Sequence, residues 1–438
     1  MKNSRRAFLK SSTRAAAGLG LTAALPWDAL AKSKHLVSAN DKINIGVIGI
    51  NGMGWSDLRS MIKIPEAQVI ALCDVDENVL NFRKYELAKS GIKTQTYVDY
   101  RKLLENKDIN VVIIGTPDHW HCLIMTDACG AGKDVYVEKP VGNSIEECRA
   151  MVAAQQRHNK VVQAGQWQRS QPHMVEALNY VKSGKLGQIR TVKAWAYQGW
   201  MKAIETKPDG PAPEGVHYDM WLGPAPKRPF NPNRFHFDFR WFWDYAGGLM
   251  TDWGVHLIDY GLLGMDAKFP KSAVALGGKY AYPNGPHETP DTLATVYEFD
   301  GYNMIWEQAQ GISNGNYGRD HGISYIGNNG TLVLDRGGWQ VIADEKRMES
   351  VPLQPNKGNG LDLHTQNFIN VVKERKLNDL ACPIQAGAHV ATVCQMGNIS
   401  YRTGGKVTWD ESTSKFKEER ANGYINARYN NGYKMPNV

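Results

Sequence analysis

The stretch Ile43-Asn44-Ile45-Gly46-Val47-Ile48-Gly49-Ile50-Asn51-Gly52-Met53-Gly54 decides the fold of this chain. Its apolar half has the length of a buried strand, and closely spaced glycines follow before residues with the pattern of a helix. Such a unit brings backbone amides against the pyrophosphate of a dinucleotide. In the register G-x-G-x-x-G, Asn51, which tolerates a positive φ, takes the middle position and Gly52 is displaced by one. A turn that binds no phosphate is the alternative.

An acidic residue follows at the distance that a dinucleotide site requires. Asp74 stands twenty residues after Gly54, directly after the apolar run 69–73, where its carboxylate can accept hydrogen bonds from a ribose. Val75 and Asp76 supply no arginine to hold a 2′-phosphate, and the Asp74 charge would repel one. The sequence therefore predicts NAD as the cofactor, with NADP less favoured.

The chain alternates between strand and helix patterns from residue 42 to 165, which predicts a right-handed parallel sheet. Its strands are expected at 44–48, 69–73, 111–115, 134–137 and 161–164. Ligands of such sheets bind at the carboxyl ends of the strands. The polar groups expected at that edge are Gly49–Gly54, Asp74, Thr116-Pro117-Asp118-His119, Glu138-Lys139-Pro140 and Gln166-Trp167-Gln168-Arg169. We expect an α/β Rossmann nucleotide-binding domain over 42–165.

Longer, alternating strands follow, and they predict an α+β domain with an open, mostly antiparallel sheet over 166–410. The expected strands are 189–195, 272–277, 293–299, 303–310, 321–327 and 331–334, with helices at 363–373 and 385–402. Residues 411–438 form a C-terminal tail. An open sheet without helices on both faces leaves an apolar surface, which predicts a homo-oligomer, a dimer or a tetramer.

Three residues carry the chemistry that the pattern predicts. Lys139 follows a buried strand and precedes Pro140, so its ammonium group is held at the strand end, where it can polarise a substrate hydroxyl. Asp252 and His256 are four residues apart and would project from one helix face, with His256 taking a proton and Asp252 orienting the substrate. A surface lysine before a proline and a structural Asp/His pair are the alternatives.

The chain resembles the glucose–fructose oxidoreductase / inositol dehydrogenase / MocA (Gfo/Idh/MocA) family in its twin-arginine-exported branch. The matching stretches are Gly46–Gly54, Thr116–His121, Glu138-Lys139-Pro140, Gly165–Ser170, Trp221–Pro226 and Gly247–Asp259, together with 364–410. Exported glycosidases of this superfamily tend to carry a Tyr-x-x-His element where this chain has Asp252–His256, which argues against that subgroup.

The resemblance and the sheet-edge positions together imply three sets of site residues. The cofactor-binding set is Gly49, Asn51, Gly52, Met53, Gly54, Asp74, Thr116, Pro117, His119, Glu138, Lys139 and Gln168. The catalytic set is Lys139, Asp252 and His256. The substrate-binding set is Arg169, Tyr197, Trp200, His217, Arg240 and Trp243, most of them in an aromatic insertion whose rings suit the C–H faces of a sugar.

Other classes of site are not supported. Asp118, His119 and His121 include metal-binding residue types, but no distant second cluster accompanies them, so no metal is expected. The six cysteines lack a C-x-x-C pattern and fall in apolar segments, which predicts buried free thiols. No basic run or nucleic-acid motif appears, and no nucleic-acid partner is expected.

The N-terminus resembles a twin-arginine export signal over residues 1–31. Arg5 and Arg6 precede a weakly apolar stretch, 15–25, and Ala29-Leu30-Ala31 offers a cleavage site. A disordered basic N-terminus is the alternative. This segment holds five basic residues against one acidic residue, so removing it leaves about +3 of the formal +7 charge. A periplasmic or otherwise exported protein, with no membrane association after processing, is expected.

These observations predict an exported NAD(P)-dependent oxidoreductase that transfers a hydride at a ring carbinol of a sugar and keeps its cofactor tightly bound, because free NAD is scarce outside the cell. A glycoside-cleaving enzyme that uses transient oxidation and elimination is the alternative, and its additional base would be His217 or His119. A dinucleotide-binding sensor or scaffold is a third hypothesis, which the presence of Lys139 and His256 disfavours.

Overall fold

The first sheet is fully parallel. The structure is a computed structural model that describes residues 42–438, so the predicted signal peptide, residues 1–31, lies outside the described residues. The strands are β1 (Ile43–Ile48), β2 (Ala67–Cys73), β3 (Gln95–Tyr97), β4 (Val111–Ile114), β5 (Asp134–Val137) and β6 (Val162–Ala164). Their order is β3-β2-β1-β4-β5-β6. The predicted Rossmann sheet is confirmed, with β3, whose short run has only partly buried side chains, as an unpredicted edge strand.

Helices join these strands, and several begin at the polar caps that their sequences provide. They are α1 (Met53–Met61), α2 (Glu77–Lys89), α3 (Tyr100–Glu105), α4 (Asp118–Gly130) and α5 (Ile145–His158). Asp76, Asp99 and Ser144 accept hydrogen bonds from the first-turn amides of α2, α3 and α5. By contrast, α1 and α4 begin without a side-chain cap. Their first amides therefore remain available at the carboxyl edge of the sheet.

The second sheet has ten strands and is mixed. Its strands are β7 (Ile189–Gln198), β8 (Ser272–Gly278), β9 (Thr292–Glu298), β10 (Asn303–Gln310), β11 (His321–Gly327), β12 (Gly330–Asp335), β13 (Gly338–Ala343), β14 (Val351–Pro355), β15 (Val407–Asp410) and β16 (Lys415–Phe416). The order is β14-β13-β12-β11-β7-β10-β9-β8-β15-β16. Only β7 and β10 pair in parallel, and every other pair is antiparallel, which confirms the predicted α+β domain.

Several of the remaining helices cover one face of the second sheet, whereas the helix Gly360–Glu374 packs on α1 and on the core of the first domain. The remaining helices are α6 (Pro172–Lys182), α7 (Tyr218–Leu222), α8 (Gly248–Asp252), α9 (Gly254–Gly264), α10 (Gly360–Glu374), α11 (Ile384–Thr403) and α12 (Glu419–Asn422). Nearly every side chain of α9 is buried, as expected for a helix in a core rather than on a surface. The opposite face of the sheet exposes apolar side chains, with Leu276 at 75% and Val274, Val296 and Ile342 at 36 to 43%.

The helix that was expected to carry both Asp252 and His256 is interrupted. Helix α8 ends at Asp252 and α9 begins at Gly254, with Trp253 between them. The prediction of one continuous helix face is therefore wrong, although both residues stay in the same segment. In the described part of the chain, none of the helices is long and apolar enough to cross a membrane.

Candidate active site

A cavity of about 290 Å³ lies at the carboxyl edge of the parallel sheet. The glycine turn and Asp74 line one end of it, and Lys139 and Arg240 line the other. The insertion, residues 199–247 between β7 and α8, contributes a further wall through Phe235, His236, Phe237 and Phe239. Both domains thus contribute to one cavity, which joins the expected nucleotide site to the expected catalytic lysine.

The glycine turn is as tight as the fingerprint requires. Gly49 has a φ of 80°, and a Cβ there would lie 2.7 Å from the backbone of Gly115. A Cβ on Gly54 would lie 2.0 Å from the Gly49 carbonyl oxygen, so neither position accepts a side chain. A Cβ on Gly52 would meet nothing within 4 Å. The close approach of α1 to β1, together with its uncapped N-terminus, fits the binding of a pyrophosphate.

Asp74 is held rigidly beside this turn. Its Oδ2 accepts a hydrogen bond from the Ile50 amide at 2.9 Å, and its Oδ1 accepts one from the Asp76 amide at 3.0 Å. Burial raises the pKa of Asp74, and these two backbone hydrogen bonds oppose that rise. A carboxylate oxygen has more than one lone pair, so Asp74 can still accept a hydrogen bond from a ribose hydroxyl.

Asn51, which replaces the middle glycine, has a side-chain contact rather than an unusual backbone. It is not among the residues with a positive φ. Its amide Nδ2 lies 2.9 Å from Nδ1 of His236, whose Nε2 lies 3.0 Å from Oδ2 of Asp76. We call this Asn51–His236–Asp76 chain the His236 bridge. His236 has a φ of 49°, so the insertion bends its backbone to reach across the cavity.

The insertion is also tied to the strand end that carries Asp74. The His217 amide donates to the Val75 carbonyl oxygen at 2.9 Å, and the Glu77 amide donates to the Gly215 carbonyl oxygen at 2.9 Å. These bonds and the His236 bridge hold the insertion over the adenosine end of the cavity. A bound dinucleotide would consequently lie beneath it.

Lys139 forms the centre of the catalytic end. Its Nζ donates to Asp252 Oδ1 at 2.6 Å and to the Asp252 carbonyl oxygen at 3.0 Å, and its peptide bond to Pro140 is cis. Arg240 Nε lies 3.3 Å from the same Oδ1. Burial would raise the pKa of Asp252, but the charges of Lys139 and Arg240 outweigh it and hold that pKa well below its usual range.

The environment of His256 favours a neutral imidazole. It is 6% exposed, and its Nδ1 has no hydrogen-bond partner among the described residues. Burial lowers its pKa well below the usual value, and the positive charges of Lys139 and Arg336 lower it further. An imidazole without a proton on one nitrogen can accept a proton from a substrate hydroxyl.

Two buried acids, Asp118 and Glu138, lie near Lys139. Burial raises the pKa of Asp118, in the cavity wall, to about 8. Burial also raises the pKa of Glu138 to about 7, and it raises that of Asp57, whose two carboxylate oxygens have no hydrogen-bond partner among the described residues. Asp57 was not predicted. The sequence offers one sign of its importance, because Asp57 is an acidic residue among the buried positions of α1. No motif connects Asp57 with Glu138.

Most of the expected cofactor set lines the cavity, and most of the expected substrate set does not. The predicted residues in the wall are Gly49, Asn51, Gly52, Met53, Asp74, Thr116, Pro117, Glu138, Lys139 and Arg240. Those outside the wall are Gly54, His119, Gln168, Arg169, Tyr197, Trp200, His217, Trp243, Asp252 and His256. Asp252 nevertheless reaches the site through its contacts with Lys139 and Arg240.

Several of the outlying polar residues have protein partners. Arg169 forms a two-pronged ion pair with Asp259. The Tyr197 hydroxyl donates to Glu307 at 3.1 Å, and His217 lies 2.6 Å from Glu77. The Trp243 ring nitrogen donates to the Glu288 carbonyl oxygen at 3.2 Å. In this structure the substrate roles expected for these four residues have no geometric support, because their polar groups are engaged elsewhere.

His119 and Gln168 are buried close behind the site. His119 Nε2 lies 3.0 Å from the Trp221 carbonyl oxygen, and burial lowers the pKa of His119 to about 4. Gln168 accepts a hydrogen bond from Arg336 at 3.0 Å. Both residues therefore support neighbouring groups in this structure and do not face the cavity.

Sequence reasoning missed several wall residues from distant parts of the chain. They are Tyr100, Arg101, Phe235, His236, Phe237 and Tyr433. None belongs to a motif, and only the folded chain brings them to the strand ends. All six cysteines are buried and unpaired, as predicted. Across residues 42–438 no group of three or more His, Cys, Asp or Glu side chains is arranged to hold a metal ion.

Two family descriptions match successive parts of the chain. "Oxidoreductase family, NAD-binding Rossmann fold" matches residues 43–166, and "Oxidoreductase family, C-terminal alpha/beta domain" matches residues 180–435. The second match covers more than half of the chain. The protein therefore belongs to the Gfo/Idh/MocA oxidoreductase family, which confirms the predicted family and the NAD-binding domain.

Individual relatives share less than 30% of their aligned residues with this chain. The chain is 29% identical over 177 residues to an inositol 2-dehydrogenase of Salmonella paratyphi B, covering 40% of this chain and 50% of the relative. It is 29% identical over 202 residues to a glycosyl hydrolase family 109 protein of Shewanella baltica, covering 42% and 44%. The matches thus span about half the length of these relatives.

A solved structure supports the fold over more of the chain. Levoglucosan dehydrogenase in complex with NADH and levoglucosan superposes with a TM-score of 0.62 at 20% identity. The match covers 84% of this chain and 99% of that one. At this identity the similarity establishes a shared fold.

Proposed function

We propose that this protein is an exported NAD-dependent oxidoreductase that acts on a ring carbinol of a sugar or sugar derivative. The observation that carries the proposal is the Lys139–Asp252 ion pair at 2.6 Å, beside a cavity that continues to the glycine turn and Asp74. When bound, NAD supplies the hydride acceptor. The residues of this chain bind and orient the carbinol and move its proton.

Lys139 holds and polarises the reacting oxygen. Two of its three ammonium protons are directed to Asp252, which fixes Nζ and leaves the third for a substrate oxygen. Arg240 stabilises the same carboxylate, so Asp252 stays ionised and the lysine stays in place. A positive charge fixed next to an alkoxide-like oxygen lowers the energy of the state in which the hydroxyl proton leaves.

His256 is the proposed acceptor of that proton. Its lowered pKa favours the neutral ring, in which one of the two ring nitrogens has a free lone pair. Trp167 and Trp253 lie against the ring with centroids 6.4 and 6.5 Å away, which limits its motion and its access to water. The proton therefore moves from the substrate oxygen to an imidazole nitrogen in a largely dry environment.

The decisive experiment is a difference spectrum. Purified protein is mixed with a panel of monosaccharides and glycosides while the absorption band of reduced nicotinamide is recorded. Appearance of the band with one stereochemical class of sugar supports the proposal. A panel that leaves the spectrum unchanged, with protein shown to contain NAD, would overturn it.

Export and cofactor retention form the second part of the proposal. The twin-arginine segment, residues 1–31, supports export of a folded and loaded protein, and the insertion above the adenosine end supports slow release of the nucleotide. Protein purified without added NAD should release close to one nucleotide per subunit on denaturation. Empty protein that consumes soluble NAD would contradict retention.

A glycoside-cleaving activity is the second candidate. It is favoured by the similarity to a glycosyl hydrolase family 109 protein at the same identity as to the inositol 2-dehydrogenase. That reaction needs an additional base, and the expected candidates His217 and His119 are engaged with Glu77 and with the Trp221 carbonyl oxygen. Release of nitrophenol from nitrophenyl glycosides without net change in nicotinamide absorbance would identify this activity.

A further inference from the structure

A second cavity adjoins the active-site cavity at Phe237. Its volume is about 110 Å³, and Phe237 belongs to the walls of both cavities. A single buried water needs roughly 10–15 Å³, so this cavity has room for a group much larger than one water. The wall of this cavity also includes Trp200, Asp238, Trp241, His287 and Gln310.

Two exposed aromatic side chains form its rim. Trp200 is 46% exposed and Phe237 is 49% exposed, with ring centroids 6.1 Å apart and planes inclined at 61°. Trp200 is fixed by a hydrogen bond from its ring nitrogen to Gln198 at 2.6 Å. The Arg240 guanidinium lies 4.7 Å from the Phe237 ring centroid. Both rings are therefore oriented by protein contacts, yet each leaves about half of its surface open.

The floor of this cavity offers polar groups suited to hydroxyls. Gln310 is 7% exposed, and it belongs to the wall of this cavity. His287 is 4% exposed, and its Nε2 is 3.5 Å from the nearest Asp291 carboxylate oxygen, too far for a normal hydrogen bond. Burial lowers the pKa of His287, which favours the neutral ring. Aromatic faces combined with neutral donors and acceptors match the surface of a sugar.

The chain connects this cavity directly to the catalytic residues. Phe237 and Arg240 lie in the same short 3₁₀ segment, His236–Trp241, and Arg240 Nη1 donates to the Phe237 carbonyl oxygen at 2.9 Å. Arg240 in turn contacts Asp252, the partner of Lys139. Because Phe237 belongs to the walls of both cavities, the second cavity adjoins the one that Lys139 lines.

We propose that the second cavity binds the neighbouring ring of a glycosidically linked substrate, so that the protein acts on disaccharide units in preference to free sugars. This inference rests on the proposed function, because it assigns a second subsite to the same active site. Trp200 packs against one face of the second ring, and Gln310 and His287 hydrogen-bond its hydroxyls.

The test compares free hexoses, their methyl glycosides and their disaccharides, by the reduced-nicotinamide band and by calorimetric binding to the Lys139→Met variant. Disaccharides should bind about tenfold more tightly than methyl glycosides, the size of effect expected for one aromatic packing partner. Trp200→Ala should remove that advantage and leave methyl glycosides within about twofold, and Trp200→Phe should retain most of it. Tyr85→Ala, which removes a 59% exposed ring from α2, is the control. It should change neither the affinity for disaccharides nor the affinity for methyl glycosides.

These measurements distinguish a failure of the second subsite from a failure of the proposed oxidoreductase activity. Equal binding of disaccharides and methyl glycosides to the unaltered protein, with turnover of either, overturns the subsite and leaves the oxidoreductase proposal intact. A Trp200→Ala variant that weakens both ligands equally also overturns the subsite. No response to any sugar overturns the proposed function and the subsite with it.

Discussion

Lys139 is the residue on which the proposed reaction depends most. Lys139→Met keeps much of the side-chain volume but removes the charge, so turnover should fall by at least about 10³-fold while NAD binding is retained. Arg240 still faces Asp252 at 3.3 Å, so the carboxylate is not left without a cation. Steady-state rates and NAD titration of the same preparation measure the two effects.

A matched ion pair provides the control. Lys63 pairs with Asp362 at 2.8 Å on the surface, and Lys63→Met should leave activity within about twofold. If Lys139→Met unfolds the protein, the lysine is structural. If it retains full activity, the catalytic role is wrong.

His256 should determine the acid side of the pH profile. Because its pKa is lowered in the folded protein, the neutral ring persists as pH falls below the ordinary histidine value of about 6.5. The acid limb of kcat/KM should therefore lie below pH 6.5. His256→Ala should lower the rate by roughly 10²–10⁴-fold and remove that limb. His158→Ala, on the last turn of α5, should leave the profile unchanged. An acid limb that stays unchanged in His256→Ala would contradict the assignment, because Asp118 and Glu138, with pKa values raised to about 8 and about 7, also titrate in this site.

Asp74 should select NAD over NADP. Its buried carboxylate would face a 2′-phosphate, and we expect NAD to bind at least about tenfold more tightly than NADP. Asp74→Asn removes the charge and keeps one acceptor oxygen, so one of the Ile50 and Asp76 amides keeps its partner, and the preference for NAD over NADP should become smaller. Fluorescence titration of cofactor-stripped protein measures both constants. Tighter NADP binding by the unaltered protein would overturn the role of Asp74.

At the scale of elements, the segment His236–Trp241 connects the two ends of the active site. Its first residue forms the His236 bridge to the glycine turn, and Arg240 contacts Asp252. His236→Ala removes two hydrogen bonds, each contributing about 0.5–1.5 kcal/mol, so bound NADH should dissociate roughly tenfold faster or more. Displacement of bound NADH by excess NAD in a stopped-flow fluorimeter measures this rate.

His217 gives the matched comparison. It also joins the insertion to α2, through Glu77 at 2.6 Å, but both side chains are more than 40% exposed. An exposed pair contributes about 0–1 kcal/mol, so His217→Ala should change the NADH dissociation rate by less than about threefold. Equal effects of the two variants would mean that the bridge has no specific part in cofactor retention.

At the scale of the whole molecule, the uncovered face of the ten-stranded sheet predicts self-association. Leu276, Val274 and Val296 lie on neighbouring strands β8 and β9 and are exposed, with Leu276 at 75%. An apolar sheet face of this kind favours a symmetric dimer or tetramer. Light scattering at low micromolar concentration should give a multiple of the subunit mass, and Leu276→Lys should reduce it. Phe82→Lys, at a 56% exposed position on α2, should leave the measured mass unchanged. A monomer at all concentrations would contradict the prediction.

The sequence by itself determined the parts of this protein that depend on local pattern. Strands β1, β2, β4, β5 and β6 were predicted to within two residues because buried parallel strands are continuous apolar runs between turn residues. Gly49, Gly54 and Asp74 were identified because a nucleotide turn requires them at fixed spacings. Lys139 was placed at the sheet edge because it directly follows a strand.

Only the tertiary structure decided which distant side chains meet. Asn51 looked like a defect in the glycine fingerprint until the fold brought His236, 185 positions away, to its amide. Arg169 and His217 looked available for substrate, but the fold gave them Asp259 and Glu77 as partners. Asp57 and Glu138 are joined by no motif, yet both are buried with unpartnered oxygens. Local pattern determines secondary structure because backbone hydrogen bonding and side-chain period are short-range, whereas pairing of buried polar groups depends on the packing of segments that are far apart in sequence.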